Sequence, residues 1–184
     1  MEKEKDIIII VCGYPFEGSE LIEYLWPVSL MASELDPRCK LIMACGGKTR
    51  RNTNNGKTEA MAMVTLLSNL PLPKNVSLVA EEKSFSAFQN LRNARIALNK
   101  HPGIKPENDE IIIVCDAVKA IQVKYAARLK FFPGFTVRVK TYDVLGSGKE
   151  LWEALNTVYD ILSIWLPPLQ WLKLAVKKII ARHS

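Results

Sequence analysis

The chain has 184 residues, nearly half of them apolar, which is enough to bury one sizeable core and favours a single domain over two. A formal charge of +6 and a pI near 9.1 suit an anionic small molecule, an acidic membrane surface or nucleic acid, but the basic residues are spread along the sequence and select none of them. Four cysteines without CxxC spacing and only two histidines, His101 and His183, argue against a structural zinc site, and no metal is assigned.

Asp6 to Cys12 is an almost unbroken Ile/Val run, the pattern of a strand covered on both faces. Gly13 opens a loop to Gly18, and Ser19 caps a helix to about Glu34, bent at Pro27 and ended by Asp36-Pro37. Lys40 to Cys45 is the second strand, followed by Gly46-Gly47 and a polar loop. A helix from about Thr58 to Asn69 then buries Ala60, Met63, Val64 and Leu67, and Pro71 and Pro73 stop it. Val76 to Ala80 forms a short third strand ending at Glu81, and Ser84-Phe85-Ser86 introduces a helix to about Asn99. Glu110 to Cys115 repeats the first strand's composition before Asp116 and a helix to about Phe131. Phe135 to Tyr142 alternates Val137 and Val139 with Arg138 and Lys140, as a half-exposed edge strand does. Gly146-Ser147-Gly148 leads into a helix from about Lys149 to Ile164, and Pro167-Pro168 precedes a last basic helix.

Strands alternating with helices at this spacing predict right-handed crossovers and a mainly parallel sheet of about five strands with helices on both faces. One domain spans 1–184, with its core over about 6–142 and C-terminal helices over 149–182. Ligands on such sheets bind beyond the carboxyl ends of the strands, so the loops after Cys12, Cys45, Glu81 and Asp116 are expected to converge.

The stretch from Leu41 through Gly46-Gly47-Lys48 to Thr58-Glu59 is therefore the centre of interest. Its glycines allow close approach of backbone N–H groups to an anion or sugar, and Lys48 meets negative charge. Glu59 in the first turn of its helix is either a structural carboxylate favoured by the helix dipole or an acceptor for a ligand hydroxyl, or a general base. Glu81 is either a surface charge or a partner of Glu59 across a pocket, where two carboxylates separate their pKa values for acid–base work. Ser84, Gln89 and Asn90 serve as caps or as ligand contacts; Asp116 and Lys119 either belong to the start of a helix or meet a ligand at the fourth loop.

Gly56-Lys57-Thr58 has the ending of a phosphate-binding P-loop, and Asp116 resembles a magnesium-holding aspartate. However, Arg51 stands where that motif begins with glycine. The shortage of histidine removes Ser-His-Asp and Cys-His nucleophiles, and with them ordinary protease or esterase chemistry. Cys12, Cys45 and Cys115 end predicted strands and read as buried packing thiols in a reducing compartment. The charged start Met1-Glu2-Lys3-Glu4-Lys5 does not read as a signal peptide, and no apolar run reaches the ~18 residues of a membrane span, so a cytoplasmic location is expected. In the final segment Leu172, Val176, Ile179 and Ile180 share one face and Lys173, Lys177 and Arg182 another. That pattern suits peripheral contact with an anionic bilayer or a helix closing the sheet. Basic residues interleaved with stacking aromatics are not seen elsewhere, so no nucleic-acid partner is expected.

The order of Gly13, Cys45-Gly46-Gly47, Thr58-Glu59-Ala60 with Met63, Glu81 with Ser84, Gln89-Asn90 with Ala94, and Ile113-Val114-Cys115-Asp116 resembles the YdcF-like family, also represented by SanA and ElyC. The resemblance covers roughly 6–142. It implies a Rossmann-like three-layer αβα sandwich with a glycine-rich, carboxylate-containing pocket. In that comparison Cys45-Gly46-Gly47 matches the family's Ser-Gly-Gly, Glu59-Ala60 its Glu-Ala, and Glu81, Ser84 and Asn90 its Glu, Ser and Asn. This chain departs where the family has Val-Thr-Ser, then His and Arg: it reads Val114-Cys115-Asp116, with Lys119 near the His position and no Arg until Arg128. The resemblance further implies a bacterial source and a link to envelope biogenesis.

The leading expectation is a small-molecule-binding protein acting on a phosphorylated, nucleotide-like or sugar-containing ligand, with Glu59 and Glu81 as the catalytic carboxylates if it is an enzyme. Gly13, Gly46, Gly47, Lys48, Ser84, Asn90, Asp116 and Lys119 are the binding set. A non-catalytic module docking through the C-terminal helix and an imperfect P-loop NTPase are the alternatives. No cofactor is identified.

Overall fold

Three runs of apolar, largely β-branched residues make the middle of the sheet. They are β1 (Asp6–Cys12), β2 (Cys39–Cys45) and β4 (Asp109–Asp116). The computed structural model describes residues 4–13, 19–48, 57–101, 103–105 and 109–142. The helices expected over 149–164 and after Pro168, the first-loop residues 14–18 and the polar loop 49–56 lie outside them. With β3 (Ser77–Glu81) and β5 (Thr136–Tyr142) at the two edges, the sheet is five-stranded, all parallel and ordered β3-β2-β1-β4-β5.

Alternation along each strand divides the core into two layers. Ile7, Ile9 and Val11 pack with α1 (Ser19–Glu34) and α2 (Glu59–Leu67) on one face. Ile8, Ile10 and Cys12 pack with α3 (Ala87–Leu98) and α4 (Ala120–Ala126) on the other. Chain order moves from β1 outward to β3 and then jumps back past β1 to β4. Right-handed crossovers therefore put the first two helices on one face and the next two on the opposite face. This is the Rossmann-like αβα sandwich, and strand order reverses between β1 and β4.

Local chemistry sets the helix starts. Thr58 caps α2 by accepting the Met61 N–H at 3.2 Å. Ser86 caps α3 by accepting Gln89 N–H at 3.2 Å, while Gln89 Oε1 reaches back to accept the Phe85 N–H at 2.7 Å. The fourth helical segment is less regular than its apolar spacing predicts. A 3-10 turn (Ala117–Lys119) precedes α4 and a π turn (Ala127–Phe131) follows it. The π turn seats Phe131 edge-on against Phe88, with ring centroids 4.5 Å apart. At the β5 edge, Arg138 is ion-paired with Glu110 of β4.

Folding sorts charges that look evenly spread in sequence. From Ser19 to Pro37, through α1 and its exit, Glu20, Glu23, Glu34 and Asp36 are exposed and no lysine or arginine occurs. Across the α3/α4 layer, the described residues of 83–105 and 117–134 include no aspartate or glutamate.

Candidate functional site

Parallel pairing aligns the strand ends into one rim. Cys45 pairs with Cys12 on one side and Glu81 on the other, and the Val11–Val114 pair sets Cys115 beside Cys12. The loops after β1, β2, β3 and β4 therefore start along a single carboxyl edge.

The three glycines are sites of close backbone approach. A Cβ on Gly13 would stand 2.5 Å from both the Cys45 carbonyl oxygen and Glu59 Oε2. On Gly46 it would stand 2.7 Å from Glu59 Oε2, and on Gly47 2.6 Å from the Ser84 carbonyl oxygen. Their N–H groups are used within the fold: Gly13 donates to the Cys45 carbonyl at 2.5 Å, Gly46 to Glu81 at 2.9 Å and Gly47 to Ser84 at 2.5 Å. The first turn of α2 is closed in the same way. Glu59 and Ala60 N–H donate to the carbonyls of Gly47 and Gly46 at 3.2 and 3.0 Å, and Met61 N–H is taken by Thr58. The expected role of Gly46 and Gly47 as backbone donors to a ligand is corrected accordingly: these glycines bring α2, β2 and the β3 loop into contact. The Thr58 hydroxyl, which ends the P-loop-like Gly56-Lys57-Thr58, caps α2 and donates to Glu82 Oε2 at 2.7 Å. Lys48 is exposed just beyond Gly47.

Glu59 is 6% exposed, with its carboxylate against Gly13 and Gly46 at the head of α2. Glu81 is also buried but serves a different purpose. Its Oε1 accepts the Lys83 N–H at 2.8 Å and Asn93 Nδ2 at 3.1 Å, and its Oε2 accepts the Ser84 hydroxyl. Asn93 also reaches Ser84 Oγ at 3.0 Å. Four groups thus lock the β3–α3 loop, and Glu81 faces α3 where Glu59 belongs to α2. The expected pairing of the two carboxylates across a pocket is replaced by this closed network. Glu81→Ala would strand a buried hydroxyl, an amide and an N–H, and should lower unfolding free energy by about 2–4 kcal/mol. Urea denaturation measures this, and a loss below about 0.5 kcal/mol would mean that the loop is held by other contacts.

On the α3/α4 side of the rim, Cys12, Cys45 and Cys115 form a row of buried thiols from adjacent strands. Burial pushes the Cys12 thiol up to about 11, although the Lys119 charge and a hydrogen bond from Asn90 act in the opposite direction. Burial, with Cys12 nearby, raises Cys45 and Cys115 well above the ordinary thiol value. All three are neutral thiols at neutral pH, without nucleophilic character. Asn90 thus reaches Cys12 from α3, and the Lys119 charge acts on it from the turn before α4. Asp116, 2% exposed, follows Cys115 at the end of β4 and, by strand alternation, belongs to the α1/α2 side. Among the described residues no group of three or more His, Cys, Asp or Glu side chains could hold a metal ion.

Tyr24 and Asn93 are not singled out by sequence reasoning. The buried Tyr24 hydroxyl lies 2.9 Å from the Cys12 carbonyl oxygen and 3.3 Å from that of Val114, tying α1 to the point where strand order reverses. The available signal was a phenol on the apolar stripe of α1, since a buried hydroxyl needs a partner. For Asn93 it was the position one turn after Asn90. The chain matches no family model and no curated protein in sequence.

Proposed function

We propose that this chain is a YdcF-like binding protein for a small anionic or nucleotide-like molecule, phosphorylated or sugar-containing, seated over the β1/β4 end of the rim. The observation that carries this reading is the pair of buried carboxylates, Glu59 and Asp116, flanking Cys12-Gly13 where strand order reverses, with Lys119 close by. Lys119 supplies the charge for an anionic group, and Glu59 and Asp116 accept from ligand hydroxyls. If the ligand is turned over, Glu59 is the acid–base residue, while Glu81 holds the loop. The four free buried thiols fit a reducing, cytoplasmic setting. No helix among the described residues is long and apolar enough to cross a membrane.

A thermal-shift panel of nucleotides, nucleotide sugars, S-adenosylmethionine and polyprenyl phosphates tests the reading. A ligand at ~100 times its dissociation constant contributes about 2.7 kcal/mol, which raises Tm by about 5–10 °C in a domain of this size. Glu59→Gln and Lys119→Ala should each remove most of that rise. No response to any compound, together with a Glu59→Ala variant less stable than the parent, would leave Glu59 as a purely structural carboxylate.

A further inference from the structure

We infer that the outer face of the α3/α4 layer docks on an anionic lipid surface. The helices lie side by side on one face of the sheet, and each turns its buried stripe inward. The stripe that remains outside carries exposed Arg92 and Ile96 on α3, and exposed Ile121, Lys124, Tyr125 and Arg128 on α4 and its continuation. Ile121 is 71% exposed and Ile96 45%, so two aliphatic side chains protrude among these cations; α1 also exposes Ile22, Trp26 and Leu30, but there beside acidic side chains. No acidic side chain occurs among the described residues of this layer, whereas the α1 region on the other side of the sheet is acidic and without lysine or arginine.

Charge and apolarity together specify the occupant. A cation-only face is drawn to any polyanion, and protruding aliphatic side chains between the cations add to that attraction where there is hydrocarbon to enter. Single-stranded nucleic acid would be served by aromatic platforms for base stacking, and among the described residues Tyr125 is the only exposed aromatic in this stripe. The bilayer is thus the partner whose chemistry matches both features: phosphate headgroups for the arginines and lysines, acyl chains for Ile96 and Ile121. None of the residues of this surface belongs to the C-terminal basic segment or to the binding set at the rim.

The test is co-sedimentation of the full chain with phosphatidylglycerol/phosphatidylcholine vesicles, with pure phosphatidylcholine vesicles as control. It is run at about 0.1 M and about 1 M salt, between which the screening length falls from about 10 Å to about 3 Å. Binding should require the anionic lipid and weaken at high salt. Each cation near such a surface contributes about fivefold to partitioning, so the triple variant Arg92→Glu/Lys124→Glu/Arg128→Glu should lose at least about a hundredfold. Ile96→Ser/Ile121→Ser should lose severalfold while keeping the salt dependence. Both variants retain the C-terminal segment, and both alter only exposed positions, so circular dichroism and Tm should match the parent. Vesicle binding left unchanged by the triple variant overturns the inference, as does equal binding to pure phosphatidylcholine. Binding of a duplex or single-stranded oligonucleotide in the absence of vesicle binding overturns it as well. The ligand panel is read separately, because neither variant substitutes Glu59 or Lys119.

Discussion

Gly13→Ala is expected to lower the unfolding free energy by more than about 3 kcal/mol, at the upper end of what overpacking costs. The added methyl would stand 2.5 Å from the Cys45 carbonyl oxygen, and that oxygen is the acceptor for the Gly13 N–H. Cys45 belongs to a central strand paired on both sides, so its carbonyl cannot withdraw without disturbing β1 and β3. The same methyl meets Glu59 Oε2 at 2.5 Å, so a flexible side chain is displaced as well. Gly47→Ala should behave similarly, because its obstacle is also a backbone oxygen, that of Ser84. Gly103→Ala provides the internal control. Nothing lies within 4 Å of its Cβ position, and only its φ of +92° resists substitution, at about 1 kcal/mol. Urea unfolding of the three variants should rank them in that order. A Gly13→Ala protein within about 1 kcal/mol of the parent would show that the strand ends are looser than their contacts indicate.

Alkaline solution should destabilise this protein steeply. Burial holds Cys12 and Cys39 up to about 11 and pushes Cys45 and Cys115 well above the ordinary thiol value of 9.0. The unfolded chain ionises its thiols first. Above pH ~9 the native state therefore binds more protons, and stability falls as pH rises. The contribution is fully present below the unfolded pKa and is lost as pH climbs through the folded one. Each thiol adds about 1.4 kcal/mol per pH unit, so the four together approach a slope of about 5 kcal/mol per pH unit. The Tyr24 phenol, raised well above its ordinary value mainly by burial, acts in the same sense. A typical stability of about 5–15 kcal/mol would be exhausted within roughly two units. Urea midpoints at pH 7.5, 9 and 10 measure the effect, and Cys45→Ala should flatten the curve by one thiol's share. A midpoint unchanged up to pH 10 would mean that the thiols titrate freely in the native state.

Much of the scaffold was legible because its signals are local. The Ile/Val runs fix β1 and β4 within a residue or two, Ser19 and Ser86 mark helix starts, and alternation at Val137 and Val139 identifies β5 as the half-exposed edge. Convergence of the loops followed from parallel strands alone. The use of each polar group was not legible, because partners distant in sequence decide it. Gly46 and Gly47 look like free donors until Glu81 and Ser84 arrive beside them. Glu81 looks like a ligand carboxylate until Asn93, a helical turn beyond Asn90, closes on it. The charge pattern was hidden for a related reason: layers, not chain segments, determine which side chains share a surface, and successive helices changed faces after β3. The broken fourth helix was also beyond reach, since its π turn answers to the fit of Phe131 against Phe88.

The Tyr24 hydroxyl links the rim to the helix behind it. By sitting against carbonyls of two neighbouring strands, it makes α1 a brace across the seam from which the loops after β1 and β4 diverge. An outward swing of α1 would leave a phenol without its buried acceptors, a cost that resists partial opening. Stiffness at this seam is therefore inherited from the α1/α2 layer, and a molecule seated over it would feel how firmly that layer is packed.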